Sequence, residues 1–448
     1  MKKNIEHISM LGAGLVGSLL SIYLAKRGYH VKIYEKRPDM RKTGAAQGRS
    51  INLALSDRGW KAIKEVGAYN DIANISIPMK GRLMHDEDGK LTFQSYGKED
   101  QAIYSVSRGR LNEVLIDIAE KEGVEIIFNA NCTDINLKTA EFSAGIGNDS
   151  NEEIIRSDFL IGADGAFSAI RDAMQRSDRF NYQQFYLEHG YKELTIPPTK
   201  NGDFAMEPNA LHIWPRGQFM LIALPNMDKS FTCTLFFPFE GEHSFSSLNN
   251  ESKLLDFFNA TFKDAVPLMP NLVEDYFENP TSSLVTVRCY PWVKEKALII
   301  GDAAHAIVPF YGQGMNCGFE DCQIFNKMMS EYGDNWTEFL PAFQQSRKPD
   351  ADAISELALK NFIEMRDKVA DTNFLLRKEI ESRLHEAFPD RWVPLYSMVT
   401  FTDAPYAKAL EMGIRQQSIM DEIMKDPEIS EKWQYLNFEE IVNKLDKN

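Results

Sequence analysis

The chain has 448 residues, which is more than one hydrophobic core can organise, so its length predicts two or three cores. Its formal net charge of -15 argues against a protein dedicated to nucleic acid and against electrostatic attachment to anionic lipid. The five cysteines form no CxxC pair, which favours a reducing compartment over a disulfide framework, and the eight histidines show no metal-ligand spacing.

The predicted elements begin with a βαβ unit. Residues 5–11 predict a short buried strand, 15–27 a helix and 31–34 a second strand. Parallel strands of this kind need covering helices, and 111–121 predicts a further helix with apolar residues along one face.

The middle of the chain changes character. Three strand-like runs, 210–214, 219–224 and 231–237, are separated by turn residues and predict an antiparallel sheet. Residues 297–300 then return to a buried strand. From Pro349 onward the chain is predicted to be helical, in the segments 351–364, 373–387 and 406–425.

These elements predict an α/β protein with a Rossmann-like domain, an inserted antiparallel-sheet substrate domain and a C-terminal helical region. The nucleotide-binding domain is expected to be discontinuous. The predicted division is 1–75, 101–175 and 285–340 for the nucleotide domain, 76–100 and 176–284 for the substrate domain, and 341–448 for the helical region.

The turn after the first strand carries the sequence GAGLVG, from Gly12 to Gly17. Gly12 permits a tight turn, Gly14 lets the backbone approach a pyrophosphate, and Gly17 lets the helix pack close to the strand. The helix N-terminus favours anions, and Glu35, at the end of the next strand, can accept hydrogen bonds from ribose hydroxyls. Because strand, helix and acid stand in the right order, the segment predicts a dinucleotide site.

Two later segments separate FAD from NAD. GADGAFSAIR (162–171) resembles the DG motif of the aromatic flavoprotein hydroxylases, and GDAAH (301–305) resembles their GD motif. In that family Asp302 would hold the ribityl chain of FAD, and 314–316 would place backbone N–H groups near the isoalloxazine. Glycines permit this close approach to a flavin. The cofactor-binding residues expected are Gly12, Gly14, Leu15, Val16, Gly17, Glu35, Ala54, Arg108, Asp164, Asp302, Pro309, Gly314, Met315 and Asn316.

Six further segments resemble the kynurenine 3-monooxygenase family more specifically. They are 49–56, 190–194, 207–215, 222–226, 308–316 and 396–401, and with the flavin motifs they are spread over most of the chain's length. Kynurenine carries an α-amino acid head whose carboxylate suits an arginine fork. The substrate-binding residues that the resemblance implies are Arg82, Tyr96, Asn361 and Tyr396, with Met365 and Phe310 as expected pocket contacts.

The resemblance also implies the reaction. NADPH would reduce FAD, O2 would form a flavin C4a-hydroperoxide, and L-kynurenine would become 3-hydroxykynurenine. The aniline nitrogen already donates electron density, so we expect positioning and water exclusion rather than an acid or base residue. His305 is interpreted as a residue of local hydrogen bonding.

The chain departs from the family pattern in two places, one near the expected cofactor approach and one at its C-terminal end. Gln47 stands where other members carry an arginine, which removes one positive charge near the expected flavin or NADPH approach. The chain ends in a charged, amphipathic segment, whereas animal members carry a membrane anchor. No signal-peptide layout is present either, so we expect a cytoplasmic protein without a membrane anchor, and leave a homodimer open.

Two alternatives remain open at this point. The first is a related hydroxylase with another amino-acid or carboxylate substrate, which would be marked by loss of the Arg82, Tyr96, Asn361 and Tyr396 set. The second is a non-catalytic flavin-binding protein, which NADPH oxidation stimulated by kynurenine would exclude.

Overall fold

The computed structural model describes residues 5–43, 51–96, 101–147, 152–333, 335–367 and 372–446. Gln47 and the side chain of Met365 lie outside this described part of the chain. Among the described helices, none combines the length and the apolar character that crossing a bilayer requires.

Strands and helices alternate through the first two thirds of the chain, and helices follow. The strands are β1 His7–Leu11, β2 His30–Glu35, β3 Asn52–Leu55, β4 Ser76–Met79, β5 Gly81–His85, β6 Leu91–Ser95, β7 Ile103–Ser107, β8 Glu125–Phe128, β9 Ala130–Asn136, β10 Glu141–Ile146, β11 Glu152–Arg156, β12 Phe159–Gly162, β13 Asn181–Ile196, β14 Ala210–Arg216, β15 Phe219–Pro225, β16 Phe231–Pro238, β17 Ser282–Tyr290, β18 Val293–Lys294 and β19 Ala297–Ile299. The helices are α1 Leu15–Lys26, α2 Met40–Thr43, α3 Asp57–Glu65, α4 Tyr69–Ala73, α5 Arg108–Lys121, α6 Ala169–Gln175, α7 Glu251–Thr261, α8 Leu272–Glu278, α9 Asp302–His305, α10 Gly314–Tyr332, α11 Trp336–Asp367, α12 Thr372–Ala387, α13 Leu395–Phe401, α14 Tyr406–Ile423, α15 Ile429–Lys432 and α16 Phe438–Asn443.

A six-stranded sheet forms the first layer, in the order β18-β19-β12-β1-β2-β8. Strands β19, β12, β1, β2 and β8 run parallel, and only the short β18 pairs antiparallel. The predicted βαβ unit is confirmed, because β1 pairs with β2 across α1. Parallel order places the carboxyl ends of β1, β2, β12 and β19 along one edge, where ligands bind in open α/β sheets.

A seven-stranded sheet forms the second layer, in the order β17-β13-β16-β15-β14-β5-β6. The predicted antiparallel run β14-β15-β16 is confirmed, while β5 joins β14 in parallel. Alternation sorts its side chains onto two faces. On β15, Phe219, Leu221 and Ala223 pack against α7 and α8, whereas Met220 and Ile222 face a cavity.

The C-terminal helices cover the cavity from a third side. Buried side chains of α11, α13 and α14 pack against Met220 and Phe236 of the sheet and against Phe310 and Tyr311. The helix predicted over 351–364 is part of the longer α11, which starts at Trp336 and contains both Pro341 and Pro349. A proline removes one helical hydrogen bond, and here buried tertiary contacts of Phe339, Phe343 and Ile354 outweigh that cost. The division into three domains stays a prediction.

Candidate active site

The GAGLVG turn lies between β1 and α1. Gly12 has a φ of +99°, and a Cβ there would lie 2.6 Å from the carbonyl oxygen of Ala163. A Cβ on Gly17 would lie 2.1 Å from the carbonyl oxygen of Gly12, so only glycine allows this packing. Gly14 differs, because a Cβ there would meet no protein atom within 4 Å and would point into open space. The turn is therefore closed on the protein side and open on the side of a ligand.

Glu35 ends β2 beside this turn. Its carboxylate accepts a hydrogen bond from the Ala13 N–H at 2.8 Å and others from the backbone and side chain of Arg37. Burial alone would raise the pKa of Glu35, but these hydrogen bonds and the charge of Arg37 leave it lowered. Glu35 is therefore an ionised acceptor at neutral pH, and it lines the cavity as predicted.

Two aspartates lie across the same edge of the sheet. Asp164 follows β12, and its Oδ2 accepts from the Ala169 N–H at 2.7 Å, while its buried Oδ1 has no partner among the described residues. Burial raises the pKa of Asp164. Asp302 opens α9 after β19, and both aspartates line the cavity. The unsatisfied Oδ1 is an oxygen that a bound polar group can pair with.

The 19-residue helix α10 begins at this cavity. Gly314 and Met315, in its first turn, line the cavity, so backbone N–H groups and the positive end of the helix dipole are presented there. Asn316 is fully buried and fixes this helix end to β3. It donates to the carbonyls of Ala54 and Gly312, both at 2.8 Å, and accepts from the Ser56 N–H at 2.9 Å.

A cavity of about 600 Å³ joins these features to the second sheet. Its first wall is formed by the turns after β1, β2, β12 and β19 described above. The second wall, from the seven-stranded sheet, consists of Arg82, Tyr191, Leu211, Ile213, Met220, Ile222, Leu224, Thr234 and Phe236. The third wall consists of Ile307, Pro309, Phe310, Tyr311, Gly312, Gly314, Met315 and Tyr396.

Arg82 is the cation of the second wall. Its guanidinium carbon lies 4.4 Å from the centre of the Tyr396 ring and 5.6 Å from that of Tyr96. Its buried Nε has no hydrogen-bond partner among the described residues, and none of the ion pairs found there involves Arg82. A guanidinium whose buried Nε has no partner carries a desolvation cost, which a carboxylate ligand would relieve.

Tyrosine rings surround this arginine. Tyr396 stacks on Tyr96 at 5.4 Å and on Tyr311 at 5.6 Å between ring centres. The Tyr96 hydroxyl is buried without a partner among the described residues. Burial raises the pKa values of Tyr96 and Tyr311 far above their usual range, so both phenols stay protonated and can donate hydrogen bonds.

Most of the predicted site residues lie together. Those that line the cavity are Gly12, Gly14, Leu15, Val16, Glu35, Ala54, Arg82, Arg108, Asp164, Asp302, Phe310, Pro309, Gly314, Met315 and Tyr396. Gly17, Tyr96 and Asn316 support the lining from behind. Asn361 is also set back, since its Nδ2 donates to the carbonyl of Phe310 at 2.6 Å.

Several lining residues were not predicted from the sequence. Arg37, Asn131 and Cys132 lie beside the nucleotide edge, and the apolar residues of β14, β15 and β16 form the second wall. The alternation of side chains along a strand could have grouped these apolar residues. Both faces of β14, β15 and β16 are apolar, however, so the sequence pattern does not show which face lines the cavity. His305 makes the local hydrogen bond expected of it, because its Nε2 lies 2.6 Å from Asp321 Oδ2.

The cavity combines a dinucleotide turn, an open Gly14, an unsatisfied Asp164 oxygen and a helix N-terminus, and these features fit FAD. A model of the family described as FAD binding domain matches residues 7–358. Fold and site thus define a flavin-binding oxidoreductase of the aromatic-hydroxylase class.

Curated relatives identify one family within this class of oxidoreductases. The chain is 51% identical to kynurenine 3-monooxygenase of Flavobacterium johnsoniae, covering 98% of this chain and 97% of the relative. It is 48% identical to kynurenine 3-monooxygenase of Dictyostelium discoideum, covering 93% of each. The chain belongs to the kynurenine 3-monooxygenase family.

Solved structures support the fold. A tetrameric form of 2-methyl-3-hydroxypyridine-5-carboxylic acid oxygenase matches with a TM-score of 0.67 at 18% identity, covering 83% of this chain and 95% of that one. A tetracycline destructase matches with a TM-score of 0.61 at 19% identity, covering 85% and 96%. At these identities the likeness concerns the arrangement of sheets and helices.

Proposed function

We propose that this protein hydroxylates L-kynurenine at the ring carbon ortho to the amine. The overall reaction consumes kynurenine, O2, NADPH and a proton, and gives 3-hydroxykynurenine, NADP+ and water. Bound FAD would supply the redox chemistry, accepting a hydride and activating O2. Cytoplasmic location stays a prediction of the sequence, and a homodimer stays open.

One observation carries the choice of substrate. The cavity that contains the GAGLVG turn is also lined by Arg82, a half-buried cation without a carboxylate partner among the described residues. Around it the second wall is otherwise almost wholly apolar. A ligand with one carboxylate and one flat apolar body satisfies both features, and kynurenine, the substrate in the relatives' names, is such a ligand.

The proposed roles follow from these positions. Arg82 would pair with the carboxylate, and the hydroxyls of Tyr96 and Tyr396 would donate to it. Phe310 of the third wall would pack on the aromatic ring together with the apolar side chains of β14 and β15. For Asn361, the hydrogen bond to the Phe310 carbonyl supports a role in holding that ring in place. Met365 stays a predicted contact.

The cofactor roles are proposed on the same basis. The open face of Gly14 supports pyrophosphate binding, and the ionised Glu35 supports ribose binding. Asp302, exposed to the cavity, would hold the ribityl chain, and the first turn of α10 would face the flavin ring.

The chemistry requires little from acid or base residues. Among the described residues, those of the second and third walls include no aspartate, glutamate, histidine or lysine. Because the aniline nitrogen activates the ring by itself, the protein's contribution is to orient the ring and to exclude water with apolar walls.

Product analysis tests the proposal directly. Purified protein with FAD is incubated with kynurenine, NADPH and air, and products are identified by mass spectrometry. We expect 3-hydroxykynurenine together with NADPH oxidation that depends on kynurenine. If a different carboxylate-bearing aromatic is hydroxylated and kynurenine is not, the substrate assignment is wrong. If no aromatic compound stimulates NADPH oxidation, the enzymatic assignment fails altogether.

A further inference from the structure

Arg58 is a buried arginine on α3, outside the cavity. Its Nε donates to the carbonyl of Val399 at 2.7 Å, and its Nη2 donates to the carbonyl of Ala404. The guanidinium carbon lies 4.0 Å from the centre of the Tyr406 ring. One planar cation therefore holds the end of α13 and the start of α14.

The Val399 carbonyl is one of those that helix α13 leaves unpaired. The last four carbonyls of a helix have no partner within it, and a cation there also suits the negative end of the dipole. Since α13 has only seven residues, its position depends on such tertiary contacts rather than on its own stability.

The charge of Arg58 is balanced inside the protein. Its Nη1 pairs with Glu320 of α10, whose other oxygen accepts from Nη2 of Arg347 at 2.8 Å. Arg347 also pairs with Asp321 and, at 2.9 Å, with Asp350. The second Asp350 oxygen accepts from the backbone N–H of residue 407 at 2.9 Å. This buried chain connects α3, α10, α11 and the start of α14.

The third wall of the cavity depends on the elements so connected. Helix α10 begins with Gly314 at the flavin-facing turn, and Gln313, just before it, accepts a hydrogen bond from the Tyr406 hydroxyl at 2.9 Å. Helix α13 carries Tyr396 in its first turn, beside Arg82. The two parts of this wall that contain Gly314 and Tyr396 are thus connected by one set of buried ion pairs.

We infer that Arg58 is a positioning residue for substrate binding: it fixes α13 so that Tyr396 stays beside Arg82 and the flavin-facing turn. This inference rests on the proposed function, because it concerns the residue that would bind the substrate carboxylate. Buried ion pairs contribute little net stability, but they can select one arrangement of the helices they connect. Here the selected arrangement keeps Tyr396 close to Arg82.

Replacement of Arg58 by lysine tests the inference. Lysine keeps the charge opposite Glu320, but a single ammonium cannot reproduce the fork that reaches both carbonyls. We expect KM for kynurenine to rise about 10- to 100-fold, the scale of a misplaced binding group. The flavin absorbance per protein and the KM for the amine analogue lacking the carboxylate should change less than about twofold.

Two further variants make the test specific. Lys61→Met removes an exposed ion pair to Asp403 in the same connecting loop, and its KM should stay unchanged because exposed pairs contribute little. In a Tyr396→Phe background, Arg58→Lys should add little to KM, since both changes act through one hydroxyl. Hydrogen–deuterium exchange should rise in 395–404 in Arg58→Lys and not in Lys61→Met.

An unchanged KM in Arg58→Lys, or an equal rise in the Tyr396→Phe background, would overturn the inference. If Arg58→Lys does not yield folded protein, Glu320→Gln serves instead, because it keeps the shape of the acceptor and removes its charge. The wild-type protein is assayed alongside. Absence of 3-hydroxykynurenine from the wild type refutes the proposed function, whereas the exchange experiment still reports on the position of α13.

Discussion

Arg82→Met is the change that most directly separates substrate binding from cofactor binding. Arg82 lies on β5 beside the stacked rings of Tyr96 and Tyr396, and its buried Nε has no partner among the described residues. Methionine fills a similar elongated volume without the charge. The variant therefore keeps the packing of the wall and loses only the cation that would meet the substrate.

The expected size follows from this burial. Removing one partner of a buried, hydrogen-bonded charge pair costs about 2 to 5 kcal/mol. The lower end applies here, because the hydroxyls of Tyr96 and Tyr396 remain as donors. At about 1.4 kcal/mol for each factor of ten, KM for kynurenine should rise at least about 30-fold.

The same reasoning gives an opposite sign for stability. Without substrate, the Arg82 guanidinium has no carboxylate partner among the described residues and its Nε is buried, so its removal relieves a desolvation penalty that offsets the lost contacts with the Tyr96 and Tyr396 rings. The melting temperature of the substrate-free, FAD-loaded variant should therefore equal or exceed that of the wild type.

Steady-state kinetics with two substrates provide the assay. KM is measured for kynurenine and for the amine analogue that lacks the carboxylate, with flavin content followed by absorbance and melting by differential scanning fluorimetry. Arg110→Met is the matched control, because Arg110 is an exposed arginine paired with Glu113 on α5. If Arg82→Met raises KM equally for both substrates, or for neither, Arg82 does not bind the carboxylate and the reasoning fails.

Three other predictions concern the scaffold. Gly14→Ala should leave the melting temperature unchanged, since its Cβ would meet no protein atom within 4 Å, but should weaken FAD binding about tenfold, as measured by flavin fluorescence titration. Asn316→Asp should lower the unfolding free energy by about 3 kcal/mol in urea titrations, because a carboxylate would face the Ala54 and Gly312 carbonyls without donors. Burial lowers the pKa of His212 to about 4, below its unfolded value of 6.5, so stability is full above pH 6.5 and falls by about 3 kcal/mol as pH drops towards 4. His212→Gln should remove most of that slope in urea titrations at several pH values, and an unchanged slope would assign it to other groups.

Local sequence predicted well the residues at the edge of the first sheet that carries the dinucleotide turn. The glycines of 12–17, the acid Glu35 and the strand before each motif act over short distances, where a residue's backbone freedom or hydrogen bonding decides its position. The structure places these residues as the spacing predicted. The long strand β13, residues Asn181–Ile196, was not predicted, because its many polar residues hide the alternation that marks a strand.

The substrate side was predicted only through resemblance. Arg82 and Tyr396 lie 314 positions apart in the numbering, and nothing local in either segment directs them to one cavity. A set of binding residues taken from a family does not show which of its members line the cavity directly. The side chain of Asn361 lies behind Phe310 in this structure and donates to its carbonyl. A local rule can also be misleading. Proline is disfavoured in the interior of a helix, yet α11 contains two prolines because buried tertiary contacts outweigh their cost.

The buried charges explain why such a site can keep its cofactor and change its substrate. The turns that would face FAD lie on the first sheet, and a solved structure with a TM-score of 0.67 shares the fold at 18% identity. The side chains that would face the substrate come instead from one face of the second sheet and from α13, whose position is fixed by Arg58 through carbonyl groups. Carbonyls are present whatever the side chains are. A substitution on α13 can therefore alter what the cavity accepts while Arg58 keeps the helix in place, so substrate choice and helix position are separable properties of this fold.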